Sequence, residues 1–240
     1  MLGRELGLGS LHVSILAQST VADRLTSVRE RIARAADASK RDPAGVRLVA
    51  VSKFHSVGAI REAYAAGQRC FGENYAQELA DKAHSLADLS ELQLRFIGGL
   101  QRNKAKLLVE VGAAIETLAS DAHARVLHER ATQLGKRIEV MLQVNVLGEA
   151  QKGGIAPGAL APLVQLVRSL PALSLTGLMT IPPACDLDAS RRAYETLRAL
   201  AEEHQLHELS MGMSDDLEVA VGAGATSVRV GTAIFGPRPV

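Results

Sequence analysis

Tryptophan is absent from this 240-residue chain, and aromatic residues of all kinds reach only 3%. Any core must therefore be built from Ala, Leu, Val and Ile, which a hydrophobic content of 47% supplies in ample amount. Cysteine is equally scarce. Cys70 and Cys185 lie far apart and in no C-x-x-C pair, which argues against a disulfide framework or a zinc site and makes a reducing, cytoplasmic setting the expectation. Charge of one sign is missing too: the formal net charge is +1 with no sustained basic stripe, which speaks against a general nucleic-acid binder. No apolar run reaches the roughly eighteen residues of a membrane span. No His/Asp/Glu group has metal-ligand spacing, and His204 and His207 read as a solvated pair near a helix end.

What is there is a pattern of short strands and helices in alternation. Leu48-Val49-Ala50-Val51-Ser52-Lys53 reads as a buried strand ending in a single amine. A lysine at such an end is usually a solvated loop residue. A partly desolvated one can instead serve as a Schiff-base nucleophile. Ahead of it, residues 21–39 carry Val21, Leu25, Val28, Ile32 and Ala35 on one helical face. After it, strands are predicted at 69–71, 94–97, 114–118, 138–146, 173–180, 208–211 and 226–230. Helices are predicted between them at 59–66, 75–89, 103–111, 121–134, 157–170, 188–205 and 215–221. The 138–146 strand is the longest of the set.

This alternation predicts an α/β fold, a single (β/α)8 TIM-type barrel over residues 21–240, with the extra N-terminal helix taking the place of a missing final one. The competing architecture is an open doubly wound sheet, which the lack of a G-x-G-x-x-G after the first strand disfavours. Residues 1–20 are expected to form an N-terminal extension, from an upstream start or as a mobile segment. Glu5, His12 and the glycines argue against a signal peptide.

In such a barrel the chemistry sits at the C-terminal ends of the strands. Those ends carry Lys53, Asn74, Gly98, Ser120, Asn145, Met179-Thr180, the 210–214 loop and Arg229 with Gly231-Thr232. Glu73 is the only carboxylate near this ring that looks aimed inward, so paired-acid hydrolysis is disfavoured. Ser214 lies just ahead of a helix, and Gly231-Thr232 follows the last strand, where these barrels recurrently bind phosphate. A serine before a helix is also an ordinary capping residue. The adjacent Arg229 adds to the anion-binding reading. An amine, a phosphate cradle and an arginine together suit pyridoxal 5′-phosphate. Lys53 would form its Schiff base, Ser214, Gly231 and Thr232 would hold the phosphate, and Arg229 would face the pyridine nitrogen. An arginine there keeps its own proton and leaves the pyridine unprotonated, a weaker electron sink than an aspartate partner gives.

At these residues the sequence resembles the pyridoxal phosphate homeostasis proteins, relatives of the barrel domain of alanine racemases. The resemblance runs from about Val46 to Arg238. It is carried by the strand ending in Lys53, by Phe71-Gly72-Glu73-Asn74-Tyr75, by Phe96-Ile97-Gly98-Gly99-Leu100-Gln101-Arg102-Asn103-Lys104, by Gln143-Val144-Asn145-Val146, by Gly177-Leu178-Met179-Thr180-Ile181-Pro182-Pro183, by Leu209-Ser210-Met211-Gly212-Met213-Ser214 and by Val228-Arg229-Val230-Gly231-Thr232-Ala233-Ile234-Phe235-Gly236. It implies the same roles for Lys53, Ser214, Gly231, Thr232 and Arg229. It adds Asn74 beside the ring, and Met179 and Met213 as pocket lining. Two positions depart from the family: Gly99 stands where a histidine is usual, and Gly153 where histidine or serine is common.

The resemblance implies a cofactor carrier in vitamin B6 homeostasis, with pyridoxal phosphate-dependent apo-enzymes as acceptor partners. Alanine racemases use a second acid/base, a tyrosine from a further domain, and that domain is expected to be missing here. Of the tyrosines, Tyr64 and Tyr194 are predicted in helices away from the strand mouths, and Tyr75, beside Asn74, is expected to serve packing. Two-base racemisation is therefore disfavoured, no catalytic residue is assigned, and a monomer is expected. The alternatives are a racemase- or decarboxylase-like enzyme and a class I Schiff-base aldolase acting through Lys53.

Overall fold

The computed structural model of the chain describes residues 19–149, 151–183 and 186–237. Nearly all of the expected N-terminal extension, residues 1–18, lies outside the described residues, as does Cys185. Thr20, at its end, opens the first helix, α1 (Val21–Ala38), as a capping box. Its Oγ accepts from the Asp23 N–H at 3.1 Å while Asp23 accepts from the Thr20 N–H at 2.9 Å.

Eight strands then follow: β1 (Arg47–Val51), β2 (Cys70–Glu73), β3 (Gln93–Phe96), β4 (Ala114–Leu118), β5 (Ile138–Gln143), β6 (Leu173–Met179), β7 (Glu208–Ser210) and β8 (Ser227–Val230). They pair in parallel in chain order, and β8 returns to β1 with Leu48 opposite Val228 and Val49 opposite Arg229, so the sheet is a closed barrel. The helices between and after them are α2 (Val57–Ala65), α3 (Ala76–Ser85), α4 (Ala105–Glu110), α5 (Asp121–Gln133), α6 (Leu160–Arg168), α7 (Leu187–Glu203), α8 (Leu217–Gly222) and α9 (Thr232–Phe235). The TIM-type barrel with an extra N-terminal helix is thus the fold that forms.

Parallel strands covered by helices are apolar on both faces. In β1 every residue from Leu48 to Val51 is buried. Helix α1 completes the outer ring: it packs against α8, α9 and α2. Its stripe of Val21, Leu25, Val28 and Ile32 is buried, each contributing about 1.5–3 kcal/mol in removal from water. Its polar side chains also reach the loops at the strand ends. Arg31 donates to the Ser214 carbonyl at 2.8 Å and pairs with Glu218, while Arg24 donates to the Ile234 carbonyl. The front helix is therefore a brace for the segments after β7 and β8.

Several boundaries differ from the sequence expectation for local reasons. The β5 strand stops at Gln143 because Val144 pairs with Ile155 and the Asn145 N–H bonds the Ile155 carbonyl at 2.8 Å, folding the following loop back on itself. That leaves β6, with 7 residues, as the longest strand. Helix α5 starts at Asp121 as expected, capped by Ser120, whose Oγ accepts from the His123 N–H. Helix α8 begins at Leu217, two residues later than expected, and α9 is an element that a four-residue turn without periodicity does not announce.

Candidate functional site

A cavity of about 400 Å³ opens at the C-terminal ends of the strands, within the usual size range for small-molecule sites. Lys53, Asn74, Met213, Ser214, Arg229, Gly231 and Thr232 all line it, so seven of the eight residues singled out above converge on one space. Val51, Ile97 and Ile181 give it apolar walls. Met179 is the exception. It is fully buried and does not line the cavity, and the carbonyl of the next residue, Thr180, is taken by Arg229 at 2.9 Å.

Each wall has a local cause. Strand alternation sends Val49 and Val51 inward, against the bare Cα of Gly72, whose missing Cβ would come within 2.9 Å of Val49 Cγ1. The following inward position is Lys53, a half-buried residue. Asn74 is set by Gly98: a Cβ there would lie 1.8 Å from the Asn74 carbonyl oxygen, so only glycine lets the third strand end approach the second this closely. Asn74 Oδ1 is buried and has no hydrogen-bond partner among the described residues. Such an orphaned acceptor beside a cavity invites a ligand donor.

Arg229 is the most buried charge at the site, 4% exposed. Nη1 donates to Ser210 Oγ at 2.7 Å and Nη2 to the Thr180 carbonyl, which leaves Nε–H and the second hydrogen on each Nη for a ligand. Burial pulls its pKa below the ordinary arginine value, and the charges of Glu116 and Asp216 oppose that shift. Two residues beyond Arg229, Gly231 lies close to Val51, where an added Cβ would sit 3.2 Å from the Val51 carbonyl oxygen. Helix α9 starts at the next residue; the N–H groups of Ile234 and Phe235 both bond the Gly231 carbonyl, at 2.8 and 3.0 Å, and Thr232 lines the cavity together with Ser214.

Three features were not singled out in the sequence, and the expectation for Glu73 is corrected. His55 lines the cavity and stacks on Phe235 with centroids 5.0 Å apart; burial lowers its pKa, and the nearby Lys82 charge adds to that. Its position two residues beyond the strand-end lysine was the available signal. Asp215 also lines the cavity. Glu116 lies wholly buried in β4, and Arg95 donates to it and to Glu139; burial works against the Arg95 charge, but the two carboxylates outweigh it and hold its pKa above the usual value. Finally, Glu73 does not point into the site. It accepts from Ser52 Oγ at 2.7 Å and from Lys82 at 2.6 Å behind the barrel wall, where burial raises its pKa despite those bonds. Tyr75, expected to pack, is 52% exposed and meets the Phe54 ring with centroids 5.3 Å apart.

The sequence matches the family model of the alanine racemase N-terminal domain over residues 24–239. A pyridoxal phosphate homeostasis protein of Pseudomonas aeruginosa is 47% identical over 223 residues, which cover 92% of this chain and 96% of that protein. The chain belongs to the pyridoxal phosphate homeostasis protein family. A member from Escherichia coli is 39% identical over 226 residues, 91% of this chain and 97% of its own. Among solved structures, PipY of Synechococcus elongatus with PLP bound matches at a TM-score of 0.81 and 39% identity, covering 90% of this chain and all of that one. The alanine racemase of Corynebacterium glutamicum matches at a TM-score of 0.65 and 20% identity, over 88% of this chain and 62% of its own, a likeness of fold alone. For the cofactor of this family the residues present are a suitable set: one primary amine, an orphaned amide oxygen, an arginine with spare donors, and hydroxyls beside a helix start.

Proposed function

We propose that this protein binds pyridoxal 5′-phosphate through Lys53 and acts as a holder and supplier of that cofactor, without turning over a substrate of its own. The observation that carries the reading is the convergence of Lys53, Arg229 and the Ser214/Gly231/Thr232 segment on one cavity. The names of the relatives and the PLP-bound PipY support it.

Bound pyridoxal phosphate supplies an aldehyde that condenses with a primary amine, with loss of one water. Within this reading Lys53 provides that amine. Ser214, Gly231 and Thr232 would hold the phosphate, with the two hydroxyls as hydrogen-bond donors that stabilise its charge without cancelling it. Arg229 donates to the pyridine nitrogen and keeps its own proton, which restrains electron withdrawal at the ring. Asn74 and Met213 flank the ring. Met179, fully buried, enters the reading only as support beneath the site. In this reading residues 21–240 form a single cofactor-binding domain. A cytoplasmic monomer that delivers pyridoxal phosphate to acceptor apo-enzymes completes the reading; among the described residues no helix is long and apolar enough to cross a membrane.

A second reading rests on His55, a proton acceptor in the same cavity: an amino-acid racemase- or decarboxylase-like enzyme. One experiment separates them. The protein is loaded with pyridoxal phosphate, its absorbance is recorded, and it is reduced with borohydride and mapped by peptide mass spectrometry. The carrier reading expects a pyridoxyl group on Lys53, transfer of cofactor to an apo-enzyme, and no amino-acid consumption or α-proton exchange in deuterium oxide. Exchange that depends on both Lys53 and His55 would establish the enzyme instead. A Lys53 that traps a sugar-phosphate carbonyl and no pyridoxyl group would establish an aldolase.

A further inference from the structure

Behind the barrel wall, outside the cavity, Lys82 of α3 has a side chain only 7% exposed. A lysine ammonium has three donors. Here they meet three acceptors: the Ser52 carbonyl at 2.7 Å, Glu73 Oε1 at 2.6 Å and Glu78 Oε1 at 2.7 Å. The places of those acceptors in the chain are what matter. Ser52 immediately precedes Lys53, and Glu73 immediately precedes Asn74. Glu78 Oε1 also accepts the N–H of Phe54, the residue immediately after Lys53, at 2.6 Å. One ammonium, directly at Ser52 and through Glu78 at Phe54, therefore secures the peptide on both sides of Lys53.

The segment needs such a fastening. Phe54 has φ +66°, a left-handed conformation that costs a bulky residue about 1–3 kcal/mol and persists only where its surroundings enforce it. Side chains along an extended segment alternate between faces, so a slip of one residue after Val51 would turn Lys53 toward the helices and Ser52 toward the cavity. The existing arrangement opposes that slip twice: Lys82 holds the Ser52 carbonyl, and the Ser52 hydroxyl donates to Glu73 at 2.7 Å on the helix side. A buried lysine with two carboxylates is a weak source of net stability, since desolvation offsets most of the attraction. Its geometric effect on Lys53 is the better account of its presence.

We propose that Lys82 is a positioning residue for Lys53, holding the Ser52–Phe54 backbone so that the Lys53 amine faces the cavity, without itself touching a ligand. The inference rests on Lys53 being the point of attachment for pyridoxal phosphate. Glu78 belongs to the same device, as the acceptor shared by Lys82 and the Phe54 N–H.

The test compares two ligands on the full chain and on the variants K82M and E78Q. Pyridoxal phosphate can bond to Lys53. Pyridoxine phosphate carries an alcohol in place of the aldehyde, so it can use only the phosphate and ring contacts. In K82M, pyridoxal phosphate affinity should fall about tenfold or more and borohydride labelling of Lys53 should slow, while pyridoxine phosphate affinity stays within about twofold of the parent. E78Q keeps the Lys82–Glu73 bond and should show the same split to a smaller degree, and it decides the matter if K82M does not fold. Equal losses for both ligands would make Lys82 merely structural, and unchanged binding of both would remove any role; either result overturns the proposal. Absence of a pyridoxyl group on Lys53 in the parent protein would instead overturn the underlying cofactor reading, a distinct outcome.

Discussion

Arg229 and Glu116 are joined through a single hydroxyl: Ser210 Oγ accepts from Arg229 Nη1 at 2.7 Å and donates to Glu116 Oε2 at 2.6 Å. The other oxygen of Glu116 takes Arg95, which in turn reaches Glu139. A charged chain therefore runs through the barrel interior beneath the cavity, with Glu116 as the anion between two arginines. Ser210→Ala should leave Arg229 and Glu116 each one bond short, at about 1–3 kcal/mol. Glu116→Gln should cost more, about 3–5 kcal/mol, because the buried carboxylate between the two arginines is lost, leaving Arg95 with Glu139 and Arg229 with the more distant Asp216. Urea denaturation of the two variants checks the order, and equal losses would show that the hydroxyl matters as much as the charge.

Tyr194 acts on the site from a distance. Its hydroxyl donates to Asp216 Oδ2 at 2.6 Å, and Asp216 Oδ1 accepts the Met213 N–H at 2.7 Å, just before Ser214. Burial, and then the bond to Asp216, push the phenol pKa far above its ordinary value, so the hydroxyl stays a donor at any working pH. Tyr194→Phe is expected to cost about 1–2 kcal/mol and to weaken phosphate binding at the 213–214 loop. Chemical denaturation and titration with pyridoxine phosphate measure the two effects. A stability loss with unchanged affinity would show that the loop holds without Asp216.

The strand ends were legible because short apolar runs closed by glycine or a polar residue are local signals. Lys53, Asn74 and Arg229 could be placed at one mouth from spacing alone. Glu116 and Lys82 were not legible, for a shared reason. Each sits within a short element whose other residues set its reading, and each is explained only by partners on separate elements, Ser210 being 94 residues from Glu116. The helix Thr232–Phe235 is too short to show a period. Met179 ends its strand as expected yet does not line the cavity, since a strand-end position does not by itself say whether the cavity reaches it. Tyr194 was located correctly in a helix away from the strand mouth, yet its hydroxyl reaches the site's supports through Asp216.

His55 gives the site a pH signature. Burial, reinforced by the charge of Lys82 and opposed by Glu78, holds its folded-state pKa below 6.5. Between that value and 6.5 the unfolded chain binds a proton that the folded chain does not. Stability therefore falls as pH drops through this window, and it is insensitive to His55 above 6.5. His55→Gln should flatten that part of the profile, measured as unfolding free energy between about pH 5 and 7. An imidazole that titrates at or above 6.5 by NMR would contradict the assigned environment.

Gly98 and Gly99 are neighbours with opposite surroundings, and a pair of alanine variants should show it. A Cβ at Gly98 would stand 1.8 Å from the Asn74 carbonyl oxygen, 2.6 Å from its carbonyl carbon and 2.8 Å from its Cα, while a Cβ at Gly99 meets nothing within 4 Å. All three contacts at Gly98 are backbone atoms, which cannot rotate aside, so the β2 end must move. Gly98→Ala is therefore expected to cost at least about 1–3 kcal/mol and to displace Asn74 from the cavity, reducing pyridoxal phosphate affinity. Gly99→Ala should stay within about 0.5 kcal/mol of the parent and leave binding unchanged. Denaturation and ligand titration on both variants decide it: a Gly98→Ala protein that binds normally would mean that the position of Asn74 is not critical to the site.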